Sequence, residues 1–134
     1  MEGSINELIQ YRFSKAKEDV ESAERELEAG GYRLSLNRSY YAIFHCMRAV
    51  NAIDLYDSSK HSGVISHFNQ YYVKTGAFPK EISKIIRTSS EMREQADYED
   101  FFTASRADAE EQLEKAKQFI EYTERFLKEK GLLN

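Results

Sequence analysis

Arg38 and His45 are the residues whose types and spacing could do chemistry. They lie seven apart in Asn37-Arg38-Ser39-Tyr40-Tyr41-Ala42-Ile43-Phe44-His45, a run with no helix breaker. At about 100° per residue, seven steps bring a helix back to within roughly 20° of the same bearing, about 10.5 Å further along its axis. The two side chains then share a face, with Tyr41 between them. Imidazole titrates near neutrality, so it can take a proton from one oxygen and return one to another. Guanidinium stays charged and forks onto phosphate oxygens. Metal-free RNA cleavage needs this set: a base for the 2′-hydroxyl, an acid for the leaving oxygen and a cation for the charge on phosphorus. One histidine cannot easily serve both sides of the phosphorus, but two copies related by a two-fold axis can. On spacing alone, the pair fits a packing or interface role as well.

The element that must position the pair spans Tyr32 to about Leu55. Leu36, Tyr40, Ile43, Met47, Val50 and Asp54 recur at alternating steps of four and three, the seam of a helix buried against neighbours. The other side carries Leu34, Arg38, Tyr41, His45 and Arg48, with no Glu or Lys, and is expected to meet a partner.

Other helices bracket it. Residues 5–29 carry Ile9, Phe13, Ala16, Val20, Ala23 and Leu27 at helical steps. Ser4 with Glu7 suggests a capping box, Gly30-Gly31 a stop, and the charged positions a solvated outer face. A third helix is expected over Lys60–Lys74, on Val64, Ile65, Phe68, Tyr71 and Tyr72. Pro79 opens a fourth, on Ile82, Ile85, Ser89, Met92 and Ala96. Residues 96–102 read as a loop with its aromatics tucked into the core. Ser105 and Asp108 cap a last helix running to about Lys130, on Ala109, Leu113, Ala116, Ile120, Thr123 and Leu127. Nothing reads as a strand. The expected fold is all-α, an antiparallel up-and-down bundle of four to five helices, with residues 1–134 as one domain.

Composition narrows the function. The net charge of −4 and pI near 5.5 argue against a general nucleic-acid coat. Between Ala29 and Lys80, however, Arg33, Arg38, Arg48, Lys60, Lys74 and Lys80 face only Asp54 and Asp57, a local +4 that leaves −8 elsewhere. A local anion site on an acidic body follows. Cys46 is the single cysteine, so no disulfide forms within the chain, and it reads as buried filler. No apolar run approaches a membrane span, so a cytoplasmic protein is expected. His61 and His67 are six apart, which suits neither helical pairing of metal ligands. His61 reads as a local hydrogen-bonding residue and His67 as a surface one. No Gly-rich phosphate loop, nucleophile elbow or Cys/His dyad is present, and neither metal nor cofactor is expected.

Arg38, six residues, then His45 resembles the Arg-x(4-6)-His motif of HEPN-domain proteins (higher eukaryotes and prokaryotes nucleotide-binding). The run from Arg38 to His45 is similar to the small prokaryotic branch in particular. Lys60-His61-Ser62-Gly63-Val64-Ile65, Val73-Lys74-Thr75-Gly76 and Arg93-x-x-Ala96-Asp97-Tyr98 extend the likeness over roughly residues 12 to 125. The resemblance implies an antiparallel helical bundle and a metal-independent ribonuclease whose two Arg/His motifs pair across a homodimer. It also implies a toxin neutralised by a minimal nucleotidyltransferase encoded beside it, with RNA as substrate. Carried over, Arg38 would steady the scissile phosphate and His45 would act as general acid/base. Ser39 would hold the polar position after the arginine, where active families often have Asn, Asp or His. Tyr41 and Arg48 would line the substrate side. Some toxin branches carry a tyrosine two residues after the histidine as the target of nucleotide modification by the partner. Here that place is Met47, and Tyr41 is the nearest substitute. The alternative is a non-catalytic HEPN partner that docks a nucleotidyltransferase or binds nucleotide or RNA.

Overall fold

The computed structural model describes residues 2–133, with side chains from Ser4 onward. It is an all-α bundle of five helices with no strand among the described residues: α1 (Glu2–Glu28), α2 (Tyr32–Asn51), α3 (His61–Phe68), α4 (Glu81–Tyr98) and α5 (Arg106–Glu129). α1 begins ahead of Ser4, so Ser4 lies within its first turn and is not the expected cap. Gly30, at φ +84°, takes the left-handed conformation that ends α1 and turns the chain into α2. At the last helix Ser105 does cap, its Oγ accepting the Asp108 N–H at 3.0 Å.

α2 is the centre of the bundle, packed against α1, α3, α4 and α5. Leu36, Tyr40, Ile43, Met47 and Val50 are buried as their spacing predicts. Ala42 and Ala49 on α2, and Ala16 and Ala23 on α1, are also closed from solvent. Small side chains on both helices let the backbones approach closely. The Ser35 hydroxyl donates to the Ala23 carbonyl at 2.9 Å, and Asn51 Nδ2 donates to the Val64 carbonyl at 3.1 Å, so these two polar groups of α2 are answered by neighbouring helices. Cys46 is fully buried, and burial pushes its thiol up to about 12.

Several expected features differ. α2 ends at Asn51, and a 3₁₀ turn (Ala52–Asp54) leads to Leu55 at φ +58°, so Asp54 sits past the helix and not on its seam. There Asp54 Oδ2 accepts from Tyr72 Oη at 2.6 Å and lies 2.9 Å from His67 Nε2. His67 is therefore not a free surface residue; its ring stacks on Tyr56 at 4.0 Å between centroids and lies against Tyr71 at 4.5 Å. The third helix ends at Phe68 and continues as a π turn (Asn69–Val73). Pro79 lies just outside α4, where its carbonyl accepts the Ile82 N–H at 3.0 Å. The aromatics expected to tuck in around the end of α4 mostly do not: Tyr98 is 72% and Phe101 98% exposed, and Phe102 is half-buried. Polar anchors hold that loop instead, with Arg33 donating to the Phe102 carbonyl at 3.2 Å and Asn37 to Asp97 at 3.4 Å.

The far end of the core is aromatic, with Phe68, Phe78 and Phe119 mutually packed and buried. Replacing Phe68 by Ala removes a fully buried ring from this cluster and is expected to cost about 3–5 kcal/mol, whereas Phe101→Ala should change stability by less than ~0.5 kcal/mol. Urea denaturation of both variants checks the contrast; equal losses would contradict the loop placement.

Candidate active site

Arg38 and His45 do share one face of α2, and the structure adds a third group that joins them. Asp19, from α1, places Oδ1 3.2 Å from the Arg38 guanidinium and Oδ2 3.6 Å from His45 Nε2. Its side chain is only 13% exposed, against 38% for Arg38 and 16% for His45. The remaining Arg38 contacts turn the same way: Nε and Nη2 donate to Asn37 Oδ1 at 3.2 and 2.6 Å, and the guanidinium lies over the Tyr41 ring at 5.2 Å. Asn37 in turn reaches Asp97, so the end of α4 is tied to the arginine.

His45 is surrounded by cations. Burial comes first, then Arg48, Lys15, Arg38 and Arg12, in lowering its pKa to about 4. Asp19 lies 3.6 Å from the ring, and burial raises its own pKa. The imidazole is therefore neutral and only weakly basic at pH 7 in the free protein, and a bound phosphate would favour its charged form and strengthen it as a base. A base held neutral in this way binds fewer protons folded than unfolded. Its contribution to stability is present above pH 6.5 and is lost as the pH falls towards 4. His45 Nδ1 and Asp19 Oδ2 are both buried without a hydrogen-bond partner, two unpaired polar atoms on adjacent residues of the site.

Arg48 lies one turn beyond His45 and is held by Asp57, with Nε 3.2 Å from Oδ1 and Nη2 2.8 Å from Oδ2. Arg12 of α1 reaches the same carboxylate at 3.1 Å and the Arg48 carbonyl at 3.1 Å. The loop that brings Asp57 here closes on Gly63, where an added Cβ would fall 2.6 Å from Ser58 Oγ and 3.1 Å from Tyr56 Oη. Only glycine leaves room for that closure. Tyr41 is half-buried against His45 and against His61, which opens α3 and bonds Tyr40 Oη through Nδ1 at 2.9 Å, the local role its position suggested.

Ser39 departs from its expected place. It is 0% exposed, with its hydroxyl buried and unpartnered, so it faces into the bundle and not onto the face that Arg38 and His45 share. Of the stripe expected to meet a partner, Arg38, Tyr41, His45 and Arg48 are half-buried, with Asp19 of α1 and the Asp57 loop against them, and Leu34 stays exposed. Arg12, Lys15 and Asp19 were missed, grouped with the solvated face of α1. Their steps of three and four, beside the seam positions Phe13, Ala16 and Val20, were the signal that could have found them.

Among the described residues no helix is long and apolar enough to cross a membrane. The family model described as the HEPN domain matches residues 9–126. A Methanocaldococcus jannaschii protein named "Putative toxin MJ0142" is 27% identical over 99% of this chain and 90% of its own length. A second from the same organism, "Putative toxin MJ0605", is 33% identical over 93% and 92%. A "UPF0332 protein" of Thermotoga maritima is 30% identical over 91% and 92%. With the helical bundle, the Arg38/His45 face and a family match across nearly its whole length, this chain belongs to the HEPN domain family.

Proposed function

We propose that this protein is a metal-independent endoribonuclease and the toxin of a pair whose other member is a minimal nucleotidyltransferase. The observation that carries the reading is the placement of Arg38 and His45 on one face of α2, both within reach of the one Asp19 carboxylate. The toxin names of two relatives support it. Arg38 binds the scissile phosphate, and His45 takes the 2′-hydroxyl proton as that oxygen attacks phosphorus. The P–O5′ bond breaks, leaving a 2′,3′-cyclic phosphate and a 5′-hydroxyl. The leaving oxygen needs a proton from the opposite side, which His45 of a second copy supplies across a two-fold axis after the bound phosphate has raised that ring's pKa and it has taken a proton from water. Arg48 and Tyr41 border the site, and Arg48 adds positive charge once its Asp57 contact is shared.

One observation favours a second reading, a non-catalytic partner that docks a nucleotidyltransferase. Arg38 is already engaged by Asp19 and Asn37, and His45 is mostly covered. Under that reading wild type cleaves no RNA and copurifies with the neighbour-encoded nucleotidyltransferase.

Two measurements check the first reading. Arg38→Ala and His45→Ala should each reduce RNA cleavage by at least ~10²-fold with helicity unchanged, and wild-type activity should persist in EDTA. Equal activity in all three proteins, or loss in EDTA, would overturn the mechanism. An NMR titration of the His45 ring should give a midpoint near 4 in the free protein, moving upward when phosphate is added. A midpoint at the ordinary 6.5 would contradict the electrostatics of the site.

A further inference from the structure

The Arg38/His45 face already holds an anion, and that anion is part of the chain. Asp19 gives one carboxylate oxygen to the Arg38 guanidinium at 3.2 Å, while the other lies 3.6 Å from His45 Nε2. A phosphate bridging a guanidinium and an imidazole would present two oxygens in the same way. The oxygen facing His45 is buried and has no hydrogen bond, so the carboxylate lies within reach of the histidine without bonding to it. That is poor design for a permanent ion pair, because a buried carboxylate oxygen left unpaired costs stability. It suits an occupant that gives way to something better matched.

From this geometry we infer that Asp19 is an internal competitor for the anion site, holding Arg38 and His45 in a closed arrangement until a phosphate displaces it. The inference rests on reading these two residues as a phosphate-handling pair, and it concerns how that pair is regulated. Other contacts of the arginine fit an exchange. Asn37 keeps its Nε and Nη2 in place, so only the Nη1 bond to Asp19 must be traded. Lys15, one turn before Asp19 on α1, lowers the carboxylate's pKa and is the cation left to receive it on release. Arg48 and Arg12 stay on Asp57 and are not required to move.

Removing the charge should open the site. In Asp19→Asn the side chain keeps its size and one acceptor for Arg38, but no longer competes as an anion. If the closed form predominates ten to one, releasing it tightens phosphate binding about tenfold. The probe is inorganic phosphate, followed by the His45 ring resonances at constant ionic strength. Wild type should bind weakly, Asp19→Asn about tenfold more tightly, and Asp19→Asn with Arg38→Ala not measurably. Unchanged or weaker binding in Asp19→Asn would overturn the inference and make Asp19 a structural support.

Wild type provides a check that needs no variant to fold. Its Asp19 carboxyl carbon resonance should shift with the same midpoint as His45 during the phosphate titration. A His45 response with Asp19 unmoved would again overturn the inference. Neither readout depends on RNA cleavage. If phosphate displaces Asp19 but RNA stays intact, the ribonuclease reading fails alone; if RNA is cleaved and Asp19 does not move, the competitor reading fails alone.

Discussion

The structure depends on the burial of α2 on nearly every side. A helix surrounded by four others cannot leave polar groups to water, so whatever it carries must be met by a neighbour. Ser35 is met by a carbonyl of α1, Asn51 by a carbonyl of α3, and Arg48 by Asp57. Arg38 and His45 are met by Asp19. Candidate chemistry thus sits where the packing rule is demanding, and Asp19 Oδ2 and His45 Nδ1, like Ser39 Oγ and Asn51 Oδ1 on α2, are buried atoms that go without a partner. Unpaired buried groups are expensive, and a fold keeps them where something other than stability is served.

The electrostatics follow from the same burial. An imidazole on an open helix would titrate near its ordinary value, and the four nearby cations would be screened. Between α1 and α2 they are not, and the ring is held neutral. The positive charge of the middle segment is therefore gathered by folding, with Arg12 and Lys15 of α1 added to Arg38 and Arg48. An acidic chain can in this way present a local site for an anion.

The helices were legible because period survives in sequence. The seam of α2 was read residue by residue from Leu36 to Val50, and the Ser105 cap from its side chain and spacing. What a helix receives from others was not legible. Asp19 looked like one more charge on the outside of α1, since its sequence does not say that Arg38 crosses to it. His67 looked solvent-facing for the same reason, as its partners Asp54, Tyr56 and Tyr71 come from beyond the helix or a turn away. Ser39 erred in the other direction. The resemblance implied a polar site position after the arginine, but one residue along a helix is about 100° around it, and that turn carries Ser39 inside. The exposed Phe101 shows the limit of reading apolar residues as buried ones: polar anchors on either side decide where that loop lies.

Cys46 gives this arrangement a built-in reporter. Its thiol is sealed in the middle of α2, next to His45 in sequence, and burial holds it in the unreactive protonated form. A thiol reagent can reach it only when the helix leaves its neighbours, so the labelling rate measures how often the central helix comes free. Being the chain's single cysteine, it needs no engineered background. Anything that grips the Arg38 face and tightens α2 against α1 slows that clock, and anything that loosens it speeds the clock up.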